Sequence, residues 1–103
     1  MSKIKLEAEP TFKAKVNIPI PGGDPAPVEF TFKHRTRDAV LAWMDEIKGE
    51  KDSDAILTMA SGWELDDEFN AKNIDLLCQN YLGAGKAIFE TYLSELRGQR
   101  AKN

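Results

Sequence analysis

The stretch TFKAKVNIPIPGGDPAPVEFTFKHR, Thr11 to Arg35, contains two runs of strict alternation separated by glycines and prolines. From Thr11 to Ile20, Phe12, Ala14, Val16, Ile18 and Ile20 fall on one side and Lys13, Lys15 and Asn17 on the other. A period of two marks a strand with one buried face. The second run, VEFTFKHR, repeats it with Val28, Phe30 and Phe32 against Glu29, Thr31 and Lys33. Between them, Pro21 to Pro27 combines glycines that tolerate positive φ with prolines that cannot donate to a ladder, which predicts a long loop. The two strands therefore form an antiparallel hairpin. Because a lone hairpin is marginal in water, its Phe and Ile face must lie against helices or another chain. Pro19 leaves at least one edge of its strand unpaired, so self-association through the hairpin is an expectation.

Working outward, the period changes after Arg35. Thr36 is a candidate N-cap and Asp38 suits a first turn, while Val40, Leu41, Trp43, Met44 and Ile47 share one arc of a helix ending near Gly49. This helix is expected to pack on the hairpin. Asp52 or Ser53 can cap a second helix whose Ile56, Met59, Ala60 and Trp63 share a face, with Gly62 as its stop. Asn70 can cap a third, AKNIDLLCQNYL, with Ile74, Leu77, Cys78 and Tyr81 on one side and Leu76 pointing elsewhere, as if covered on two sides. A last helix follows Gly83 to Gly85, from about Lys86 to Arg97, with Ile88, Phe89, Tyr92, Leu93 and Leu96 in a wide apolar sector. The expected architecture is α+β: a hairpin at 11–35, four short helices over 36–97 and a loose tail at 98–103, all in a single domain spanning 1–103.

Composition bounds the function. With 42% hydrophobic and 30% charged residues the chain is an ordinary globular one, and no apolar run approaches the roughly 20 residues of a membrane span. The start, MSKIKLEAEP, lacks the apolar core of a signal peptide, and the single Cys78 suits a reducing compartment, so a cytosolic protein is expected. Charge is uneven: residues 38–81 carry three Lys/Arg against eleven Asp/Glu. Such a block disfavours nucleic acid and anionic membranes as main partners, and is first of all a solvated acidic surface.

The densest acidic feature is SGWELDDEFN, Ser61 to Asn70. Asp66, Asp67 and Glu68 are consecutive, so their side chains diverge whether the backbone is extended or helical, and they match neither a calcium loop nor a carboxylate pair. The stretch is expected to be a joint, with Gly62 ending one helix, Trp63, Leu65 and Phe69 pinning the connection and the acids in water. His34 continues the apolar alternation of the second strand, near Asp38. A nucleophilic pair with Cys78 has no local support, since a thiol on an apolar helix face is usually an inert core group. PGGDP and LGAGK match no phosphate-binding pattern. No catalytic, metal or cofactor residues emerge. What remains is aromatic and apolar surface, and the last helix carries the candidate partner-binding residues Phe89, Tyr92, Leu93 and Leu96, for a client or for self-association.

Three stretches in order, TFKHRTRDAV (31–40), ASGWELDDEFN (60–70) and NYLGAGKAIFETYLSEL (80–96), together with the N-terminal PTFKAKVNIPIPGGDPAPVEFTFKHR, resemble the tail assembly chaperones of tailed bacteriophages and prophages. The likeness covers nearly the whole chain. Leu82 departs from the pattern, in which proline follows the Asn-Tyr pair. The resemblance implies a non-enzymatic role in the bacterial host cytoplasm. Such a protein binds the tape measure protein, keeps it soluble, gives way as tail tube protein polymerises, and is absent from the mature virion. It also implies a short form, or the part shared with a frameshift-extended form of itself, and a homo-oligomer through the hairpin or last helix is compatible with it. Two other readings suit the same residues: a small cytosolic adaptor or regulatory protein-binding domain, and a minor structural tail component.

Overall fold

The computed structural model describes residues 4–99. Strand β1 (Thr11–Ile18) and strand β2 (Ala26–Lys33) form the hairpin, in register from Thr11 opposite Lys33 to Ile18 opposite Ala26. Alternation turns into burial residue by residue: Ala14, Val16, Ile18, Val28, Phe30 and Phe32 are buried on one face, with Lys13, Lys15 and Asn17 exposed on the other. The loop opens with a turn in which Gly23 N–H donates to Ile20 carbonyl at 3.0 Å. Pro21 and Gly22, the latter at φ 76°, fit the two central positions of a type II turn.

Helix α1 (Arg37–Glu46) starts where Thr36 Oγ1 accepts from Ala39 N–H at 3.2 Å. It does not lie on the hairpin. Its buried Trp43 instead meets the later helices α2 (Asp52–Met59) and α4 (Ala84–Leu96). The indole N–H donates to Thr58 Oγ1 at 2.6 Å, and the ring packs edge-on against Tyr92 at 5.4 Å and along Phe89 at 6.0 Å.

Helix α2 differs from expectation at both ends. Lys51 is its N-cap and makes no side-chain bond, so Asp52 and Ser53 do not cap it; Asp52 and Asp54 sit in the first turn, where the helix dipole favours carboxylates. At the other end Ala60 turns extended, and Ala60–Trp63 is strand β3, not helix. It adds to β2 in antiparallel register, giving the order β1-β2-β3, with an irregularity at Thr31/Phe32. The free edge of β2 supplies bonds that a helix would otherwise have made internally, and Ser61 and Gly62 have poor helix propensity. Gly62 therefore belongs to a strand and ends no helix.

Helix α3 (Ala71–Asn80) starts at Asn70, whose Oδ1 accepts from Asn73 N–H at 2.8 Å. Ile74 is buried, and Leu77, Cys78 and Tyr81 pack against the core. Leu76 is 57% exposed, so α3 is covered on one side and not two. Helix α4 begins at Ala84, two residues earlier than its glycines suggest, with Gly85 in its first turn. It ends in a Schellman cap: Gly98, at φ 75°, donates to Glu95 carbonyl at 3.0 Å and Gln99 to Ser94 carbonyl at 2.8 Å. Gly98 and Gln99 are thus bonded to the helix end, while the rest of the expected loose tail lies outside the described residues.

The helices cover the apolar sheet face, and Tyr92 holds the layers together. Its side chain is fully buried among Phe12, Phe32 and Trp43, with ring centroids at 6.3, 5.2 and 5.4 Å. Its hydroxyl donates to Lys33 carbonyl at 2.7 Å and accepts from Arg35 Nη1 at 2.9 Å. Arg35 in turn lies 5.0 Å above the Trp43 ring, a cation–π contact.

Two predictions follow from this packing. Tyr92→Phe keeps the ring and removes both hydrogen bonds, which should cost about 1–3 kcal/mol in urea denaturation followed by circular dichroism. Leu82→Pro should gain about 0.4–1 kcal/mol in the same assay. Ala84 N–H donates to Tyr81 carbonyl at 2.9 Å, and Gly83 has φ −86° and ψ −2°, so Leu82 holds the second position of a type I turn, where proline is favoured. The Leu82 side chain is 87% exposed and contributes little packing to lose.

Candidate partner-binding surfaces

The α4 stripe divides. Tyr92 is core, with no surface to offer a partner in this conformation, because its hydroxyl and ring are spent inside the fold. Phe89, Leu93 and Leu96 are half-buried and pack against the core with their outer parts in solvent. Phe89 is positioned by the Trp43 ring beside it. On α1, Leu41 adds an apolar side chain that is 61% exposed. Sequence spacing places the four stripe residues on one helix sector, but only packing separates the structural ring from its three neighbours.

The acidic joint is tied down by its aromatics and amides. Trp63 donates its indole N–H to the Asp67 carbonyl at 2.7 Å and packs edge-on against Phe69 at 5.1 Å. Asn73 Nδ2 donates to the Glu68 carbonyl at 2.7 Å, and Glu64 N–H continues the ladder to Glu29 carbonyl at 2.9 Å. The backbone carbonyls of Asp67 and Glu68 are thus each engaged by a side-chain donor, and the side chains of Asp66, Asp67 and Glu68 are exposed. Among the described residues, no group of three His, Cys, Asp or Glu side chains is arranged to hold a metal ion.

His34 does not continue the buried face. β2 ends at Lys33, the chain turns toward Thr36, and His34 is exposed with its backbone N–H on Pro10 carbonyl at 2.9 Å. Asp38 is paired with Arg37 at 3.7 Å. Cys78 is half-buried on α3, and burial first, then the carboxylates of Asp52 and Asp75, push its thiol up to about 11. A nucleophile would need the opposite shift.

A groove of about 680 Å³ opens between the loop end of the hairpin, the β3–α3 joint and α3. Its lining includes Ile18, Val28, Trp63, Leu76, Leu77 and Tyr81. Sequence reasoning missed it because it is built from three separate elements. The one local signal was Leu76, which falls off the buried arc of its helix.

Among known families, one described as phage tail assembly chaperone matches residues 1–103, the whole chain. The chain belongs to that family. No curated protein and no solved structure matches it. The α+β architecture of this tail assembly chaperone is an antiparallel three-stranded sheet covered by four helices. Among its described residues no helix is long and apolar enough to cross a membrane. Its partners in tail assembly are proteins.

The raised thiol pKa gives the chaperone a testable signature. Relative to an unshifted thiol, Cys78 should carry about 100-fold less thiolate near neutral pH and react with a thiol reagent correspondingly more slowly, reaching the free-thiol rate on unfolding in urea. The rate should rise about tenfold per pH unit above neutrality and level off only above about pH 11.

Proposed function

We propose that this chaperone acts without catalysis in the bacterial host cytoplasm, binding the tape measure protein and keeping it soluble until tail tube protein assembles around it. It then leaves, and is absent from the finished particle. The observation that carries this reading is the family match across the full chain. The surface chemistry is compatible with it. A long helical client with apolar stripes calls for several weak, releasable contacts rather than one tight pocket, and half-exposed Phe89, Leu93 and Leu96 on α4 offer contacts of that kind. Adaptable Met44, partly buried on α1, suits the same use. A frameshift-extended form of the chain would share this surface and enlarge the area available to the client.

Coexpression with the tape measure protein should move that protein into the soluble fraction, and Leu93→Gln with Leu96→Gln should reverse this while helix content by circular dichroism stays unchanged. Mass spectrometry of purified virions should find no copy of the chain; a stoichiometric amount there would make it a structural tail component instead.

A further inference from the structure

The groove between the hairpin and α3 is separate from the α4 stripe and has its own chemistry. Ile18 and Val28, the loop-end residues of the buried sheet face, are its most deeply buried lining, and Leu76 stands at its rim with more than half of its surface in water. A leucine so placed beside an apolar groove extends the apolar surface available to a partner side chain. The polar lining is locally engaged: Asn73 Nδ2 bonds the Glu68 carbonyl at 2.7 Å and Asn80 Nδ2 the Leu76 carbonyl at 2.9 Å. These amides frame the groove and do not converge on a small polar ligand.

Charge selects the occupant. Asp67 is the one charged residue in the described lining, and Asp66 and Glu68 are exposed on either side of it in the joint. From Asp52 to Tyr81 the chain has seven acidic residues and one basic residue, Lys72. The joint side of the groove is thus negative, which favours cations and disfavours an acidic partner there.

We propose that this groove docks an amphipathic helix of a partner protein whose apolar stripe is flanked by lysines or arginines. The stripe sets side chains spaced three and four residues apart against Leu76, Leu77 and the sheet face, and the flanking cations meet Asp67 and its neighbours. The inference does not rest on the tape measure protein being the client, since it concerns the chemistry of the groove alone.

The test uses the full chain and two synthetic helical peptides about 18 residues long, one of leucine and lysine and a twin with every lysine replaced by glutamate. In calorimetric titration the lysine peptide should bind about tenfold or more tightly than its twin, and should weaken as salt is raised. Leu76→Arg and, separately, Asp67→Lys should each weaken it about tenfold with the circular dichroism spectrum unchanged. Asp67→Lys keeps the backbone carbonyl that receives the Trp63 bond, so it remains informative if the Leu76 variant misfolds. Equal affinity for the two peptides, no binding, or binding indifferent to both substitutions would overturn the proposal. So would a Leu76-dependent dimer in sedimentation with peptide binding unaltered, which would make a second copy the occupant. Failure of the unsubstituted chain to keep the tape measure protein soluble would instead strike at the proposed function and leave the peptide result standing.

Discussion

Tyr92 joins the helical layer to the sheet by two independent kinds of force. Its ring buries a large apolar area between Phe12 and Phe32 on the sheet and Trp43 on α1, and its hydroxyl closes on the carbonyl of Lys33, the last residue of β2. That carbonyl lies where the ladder stops, so it requires a donor from outside the strands. Arg35 completes the cluster by donating to the same hydroxyl while lying over Trp43. Trp43, the buried residue of α1, ties that helix to this cluster, and its indole N–H is also satisfied by Thr58 of α2. A residue that looks like a surface anchor in the helical pattern is in fact what lets three helices and a sheet agree on one geometry.

Burial sorts the apolar residues of α4 into two groups. Tyr92 ties the helix to the sheet, and Phe89, Leu93 and Leu96 lie beside it, partly covered and partly wet. A surface made this way has limited apolar area per residue, which favours reversible contact over tight association. The groove at the other end of the sheet follows another logic. It opens between the loop end of the hairpin, the β3–α3 joint and α3, and its acidic border comes from a joint whose Asp67 and Glu68 carbonyls are hydrogen-bonded while its acidic side chains are exposed.

Much of this was legible in the residues. The hairpin follows from alternation, Thr36 and Asn70 are caps where their chemistry places them, and the acids of Asp66 to Glu68 face water because consecutive side chains cannot converge. The misses share a cause. β3 is four residues long, too short for a period of two to show, and Ile56, Met59, Ala60 and Trp63 happen to satisfy a helical spacing; the unpaired edge of β2 decides the matter in favour of a strand. His34 obeys the alternation but stands one residue past the end of its strand, so its face is no longer set by the sheet. Leu76 breaks the apolar arc of α3, and the reading that a second element covers it fails because none of the described elements packs there closely enough to bury it.

The sequence by itself determined the local elements whose signals are short-range: period-two strands, side-chain caps, a proline–glycine turn and an acidic, non-converging joint. These depend on neighbours a few residues apart and hold in nearly any surroundings. Only the tertiary structure decided which aromatics are core, that β3 extends the sheet, and that a groove lies between hairpin and α3. Each of these depends on groups far apart in the chain competing for the same surface or the same hydrogen bond, and local spacing carries no record of who wins that competition.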